Sequence, residues 1–210
     1  MTPIAHHFQP HDLVAGHPAL DLVNTVTSRD AEPFDWLAAP ESLWAWAALA
    51  GVLQGAEPAG LQRLSLDRPA AARSALRHCR ALREALHDAL LTLQLQRPVP
   101  EASLLALDTA RRAAQARARL VAGPDGIDTR CSLDTSGLDL VTDRVALLAL
   151  PLLQAPPLER LRVCDGTHCG WLFIDASKAG RRRWCDMATC GAAHKAERHR
   201  QRTASTRTKR

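Results

Sequence analysis

The sequence predicts a mainly α-helical protein with one small β-hairpin, followed by a small cysteine-stapled module that ends in a basic helix. Three observations predict it. Apolar residues recur every three or four positions through most of the first 155 residues. One Gly-Pro-Asp-Gly turn interrupts that pattern. Four of the six cysteines fall close together near the C-terminus. The division this suggests is a helical domain over 1–155, the module over 158–203 and a basic tail over 204–210.

The elements follow in chain order. Ser42 is placed to cap a helix through Leu43, Trp44, Trp46, Leu49 and Leu53, which the Gly51/Gly55 region ends. Pro69 opens the longest helix, because proline suits a first helical position. Its apolar positions Leu76, Cys79, Leu82, Leu86, Leu90 and Leu93 form one stripe until Pro98 and Pro100 stop it. A third helix runs from Ala102 to about Arg117, with Leu104, Leu105 and Leu107 expected in the core. Gly123-Pro124-Asp125-Gly126 marks a hairpin turn between short runs at Leu120-Val121 and Ile127. A last helix is expected from about Leu138 to Leu153, and Pro156-Pro157 closes the helical part. Trp36, Trp44 and Trp46 are expected to fill core.

Composition narrows the class of function. The 210 residues are 46% apolar, which is enough for a core. The apolar runs are too short to span a bilayer, and the first ten residues do not read as a secretory signal. A soluble, cytoplasmic protein without membrane partners is therefore expected. Charge divides unevenly: Arg160 to Arg210 carries 13 Lys/Arg against 4 Asp/Glu, net +9, whereas residues 1–159 carry 14 against 18, net −4. Such asymmetry points to a polyanionic partner for the basic part.

The cysteine module is the most specific signal. Cys164 and Cys169 form one C-x4-C pair, fifteen residues separate it from the next, and Cys185 and Cys190 form the second. Two tight turns of this kind supply four soft ligands at the corners of a tetrahedron, the arrangement of a closed structural zinc site. An iron–sulfur cluster also takes four cysteines, but redox chemistry lacks its usual two-residue spacer here. Zinc binding supplies folding energy that a module this small cannot obtain from burial. Trp171, Phe173 and Trp184 are expected beneath the metal, and loss of one thiol is expected to leave the helical part's melting largely unchanged. Arg181, Arg182 and Arg183 precede the second pair; Lys195, Arg198, His199 and Arg202 share one face of the helix that follows it. These seven are the candidate nucleic-acid contacts.

Read together, Cys164…Cys169-Gly-Trp-Leu-Phe-Ile-Asp…Arg-Arg-Arg-Trp184-Cys185-Asp-Met…Cys190-Gly191 resembles the CGNR zinc finger of bacterial proteins. The stretch from Ala15 to Val26 resembles the opening motif of the ABATE domain that precedes that finger. The resemblance covers essentially the whole chain. It implies a helical domain with a small β-hairpin, one structural zinc ion, and a stress-responsive transcriptional regulator that binds DNA. One departure stands out. The family's Cys-Gly-Asn-Arg is Cys190-Gly191-Ala192-Ala193 here, so an amide and a guanidinium are missing.

In the helical domain His17, Asp21 and Asn24 form a compact polar set that admits two readings: a pocket for a small-molecule effector, or capping and backbone satisfaction, which is the commoner use. No nucleophile–base pair, carboxylate dyad or phosphate-binding loop is visible, so no enzymatic activity is expected. The expected function is a zinc-binding, DNA-binding regulator whose helical domain senses a signal or forms a homodimer. The alternative is a protein-interaction module whose zinc finger does not touch DNA.

Overall fold

The computed structural model describes residues 6–123 and 126–207, with side chains through residue 201. Pro124 and Asp125 of the expected turn, and residues 208–210 of the tail, lie outside the described residues. No helix among the described residues is long and apolar enough to cross a membrane.

After a 3-10 turn, helix α1 (Pro18–Val23) leads into the antiparallel two-residue strands β1 (Val26–Thr27) and β2 (Phe34–Asp35). Helices α2 (Pro40–Leu49), α3 (Glu57–Asp67) and α4 (Pro69–Gln94) follow. Each of these four helices has a proline in its first turn, where the missing N–H has no intrahelical partner to lose. Helix α5 (Glu101–Arg117) then feeds the hairpin β3 (Arg119–Gly123) and β4 (Gly126–Arg130). A short α6 (Leu133–Ser136), a 3-10 turn and α7 (Leu140–Gln154) complete the helical part. Strands β5 (Leu161–Val163) and β6 (Leu172–Ile174), a wide turn at Met187–Gly191 and helix α8 (Ala192–Arg207) form the C-terminal module.

Helix α4 is the spine. Its buried stripe Leu76, Cys79, Leu82, Leu86 and Leu90 packs against α1, α2, α3, α5 and α7. Trp44 and Trp46 are buried in the same core, which continues without a break into the module through Leu161, Leu172 and Phe173.

Three expectations change. Helix α2 starts at Pro40 with Ala39 in the capping position, so Ser42 lies inside the helix rather than capping it. Leu104 and Leu105 are 53% and 68% exposed, because α5 turns only Ser103 and Ala114 fully inward. Helix α2 also ends at Leu49, ahead of Gly51 with its φ of +70°, so Leu53 lies outside it. Helix α3 escaped notice in the sequence, since Gly60 and Ser65 blur its apolar period.

The stripe of α4 also carries a charge. Arg83 is 3% exposed and makes paired bonds of 2.8 and 2.9 Å to Asp35, with further bonds to Thr25 Oγ1 and Glu84. Burial raises the Asp35 pKa, yet the Arg83 and Arg80 guanidiniums and the Leu37 N–H outweigh it and hold the carboxyl below its ordinary 3.8. Breaking such a pair leaves a buried cation with only the half-exposed Glu84 as counter-charge. Asp35→Ala is therefore expected to lower unfolding stability by about 3 kcal/mol at pH 7, measured by urea titration. Because the folded pKa is depressed, the difference from the parent should shrink as pH falls from 3.8 through the lower folded value.

Candidate metal centre

The first cysteine pair sits at the turn of a hairpin. Strands β5 and β6 pair antiparallel, Val163 opposite Leu172, and Cys164 N–H donates to Trp171 C=O at 2.8 Å. Cys169 N–H closes the turn onto Gly166 C=O at 3.0 Å. A side chain at Gly166 would put its Cβ 2.9 Å from Cys190 Sγ, so the close approach of the second pair requires glycine. The second pair is held by Asp186, which caps the wide turn by accepting from Thr189 N–H at 2.9 Å.

The four sulfurs lie within 4.8 Å of one another. Cys169 and Cys185 are 3.7 Å apart, and Cys185 and Cys190 are 3.8 Å apart. A tetrahedron with Zn–S bonds of ~2.3 Å puts its sulfurs roughly 3.8 Å apart. The cluster thus fits one structural zinc ion, with all four positions taken by thiols. Cys164 Sγ also accepts backbone N–H bonds from Gly166 at 3.4 Å and Cys185 at 3.3 Å, as a thiolate ligand would. The Cys169 and Cys185 thiols together with those amides hold Cys164 well below the ordinary thiol range. The same proximity to Cys164 pushes Cys169 and Cys185 up. One sulfur ionises readily and then opposes its neighbours, and a divalent ion removes that opposition.

The aromatic residues divide. Phe173 is fully buried in the common core, and Trp184 is half-buried beside His194, their rings 5.3 Å apart. Trp171 turns toward the helical part instead, donating to Val26 C=O at 3.3 Å and meeting the Trp36 ring edge-on at 5.3 Å. His168 is not drawn into the cluster; its ring nitrogen lies 3.4 Å from Asp30.

The polar set His17, Asp21 and Asn24 explains that direction. Two cavities of the helical part are lined by other residues. His17 Nδ1 caps α1 by accepting from Ala19 N–H. Asp21 accepts from Ala15 N–H at 3.0 Å, and burial pushes its carboxyl up to about 6 against that bond. Asn24, 1% exposed, donates to Leu172 C=O at 2.9 Å and accepts from Leu172 N–H at 3.0 Å. Ile174 N–H bonds Ala15 C=O, and Ser28 N–H bonds His168 C=O. The Ala15–Ser28 segment is thus the seat of β6 and of the first cysteine turn.

The candidate nucleic-acid residues also divide. Arg181 is exposed, as are Lys195, Arg198 and His199 along α8. Arg182 is half-buried: its N–H donates to Asp175 at 2.8 Å, and its guanidinium lies 4.8 Å from the Phe173 ring centre while bonding Cys185 C=O. Arg183 pairs with Asp165 at 2.8 Å. The Arg202 side chain lies outside the described residues. Asp175, unremarked in the sequence reading, organises the basic loop; hydrogen bonds from Ser177 and Arg182 hold its carboxyl well below the usual range. The Asp-Ala-Ser run was its signal, since such spacing favours an Asx turn.

These contacts replace the expectation that the two parts melt independently. Cys185→Ser should abolish stoichiometric zinc in elemental analysis and lower the melting temperature of the whole chain, because β6 is part of the common core. Asn24→Ala should cost about 2 kcal/mol by leaving the Leu172 N–H and C=O buried and unpaired; urea unfolding, read with a colorimetric zinc-release assay, should show both destabilisation and faster metal loss.

Comparison with known families agrees with this geometry. The model of the CGNR zinc finger matches residues 160–203. The model of ABATE, described as "Putative stress-induced transcription regulator", matches residues 16–156. No curated protein matches the chain. On the strength of the longer match, with the zinc-fitting cysteines in their place behind it, this chain belongs to the ABATE family and carries a CGNR zinc finger at its C-terminal side.

Proposed function

We propose that the chain is a cytoplasmic, stress-responsive transcriptional regulator whose zinc finger contacts DNA and whose helical part senses a signal or dimerises. One observation carries the reading. The finger holds exposed cations on a metal-stapled frame: Arg181 on the loop before the second cysteine pair, and Lys195 and Arg198 on α8 directly after it. None of these three has an ion-pair partner among the described residues. By contrast Arg182 and Arg183 are occupied by the finger itself, Arg160 bonds Ser177 C=O, and Arg162 bonds Gly180 C=O. The net charge of +9 therefore overstates the number of groups free to meet phosphate.

A specific observation favours the second reading, a protein-interaction finger without DNA contact. Ala192 and Ala193 occupy the exposed first turn of α8, where the family's name has Asn and Arg. Methyl groups there offer neither phosphate nor base contact.

Fluorescence anisotropy with duplex DNA at low and moderate salt tests the first reading. Affinity should fall steeply with salt, since each phosphate contact releases counterions. Arg181→Ala and Lys195→Ala should each weaken binding across unrelated sequences and reduce the salt slope by about 1. Absence of binding at low salt by the zinc-loaded chain would leave the interaction-module reading standing.

A further inference from the structure

The helical part contains a cavity that the finger does not use. It occupies about 530 Å³ between α4 and α5, with its floor at the start of α7. Its walls are short side chains, Ala106, Ala110 and Ala113 of α5 facing Ala81 and Leu82 of α4. Alanines in helices crossing at this distance do not fill the space between them. Leu105 stands at the mouth, 68% exposed.

One end of this apolar channel is a built polar wall. Asp143 is 1% exposed and doubly bonded to Arg117 at 2.6 and 2.7 Å. Asp139 lies beside them, 3.0 Å from His78 Nδ1 and 3.4 Å from Arg117. Thr142, itself 6% exposed, lines the same end with its hydroxyl turned inward to the Cys79 thiol. Two carboxylates against one guanidinium leave this end negative. The Asp143 oxygens are spent on Arg117; Asp139 also meets His78 and Arg117, but its side chain remains 24% exposed. An occupant that fits presents an apolar body to the alanines and a cationic donor to Asp139.

We propose that the α4–α5 cavity binds a small apolar molecule bearing a protonated amine, its ammonium group held at Asp139 and its body lying along the alanine wall of α5. The inference rests on reading the helical part as the sensing part of the protein. Its test does not involve DNA, so the two readings fail separately.

Calorimetric titration of the zinc-loaded full chain with 2-phenylethylamine, 2-phenylethanol and 3-phenylpropionate compares three heads on similar bodies. Saturable amine binding is expected, with the alcohol weaker by roughly tenfold and the carboxylate weaker still. Asp139→Asn should bring the amine down to the alcohol's level while leaving alcohol binding unchanged. Ala106→Phe, which fills the cavity, should abolish both in a chain whose melting temperature is retained. Equal binding of amine and carboxylate would overturn the proposal, as would saturable binding of none of the three. So would binding indifferent to Ala106→Phe, or a dimer in light scattering that Leu105→Asp converts to monomer, since a second copy would then cover the mouth.

Discussion

Four thiols confined within 4.8 Å of one another are an electrostatic problem before they are a structure. The first to ionise takes hydrogen bonds from its neighbours and from two backbone amides, and it thereby opposes ionisation of the rest. A divalent ion is the natural resolution, and the sulfur spacing is that of a zinc tetrahedron. Everything on the C-terminal side depends on it. The β5–β6 hairpin, the Asp186-capped turn and the start of α8 are brought together at those sulfurs.

The finger is nevertheless seated on the helical part. Asn24 acts as a short piece of strand, offering its amide donor and acceptor to the two backbone groups of Leu172. Asp21 fixes Ala15, whose carbonyl then receives Ile174 N–H. A buried strand with unmet backbone groups is costly, so these side chains set where the finger sits. In turn the strand covers α1 and closes the bottom of the helical core. The motif near residue 20 and the later cysteines are therefore parts of one structural unit, despite the separation of 148 positions between Asn24 and Leu172.

The same economy of polar groups decides what is left for partners. Arginines near the cysteines largely stabilise the loops that carry them, so only a few cations of the finger stand clear. Helix α5 shows the opposite situation. Its alanine-rich inner face and exposed leucines leave apolar surface uncovered beside a negatively charged end.

Local chemistry made some of this readable from the chain alone. The C-x4-C pairs required one metal whatever the rest of the fold, because four soft ligands at that spacing have few other uses. The stripe from Leu76 to Leu90, bounded by Pro69 and Pro98, read as one long helix, since period and punctuation are both short-range properties. Pairings between distant residues left no such trace. Nothing local distinguishes Arg182, stacked on Phe173, from Arg181, exposed beside it. Nor does periodicity reveal that Leu104 and Leu105 face outward, because leucines and alanines scattered among the charged residues of α5 define no single apolar stripe. The roles of Asn24 and Arg83 were equally hidden. A side chain that completes another segment's backbone, or neutralises a charge two helices away, is defined by its partner, and only the folded chain brings the partner within reach.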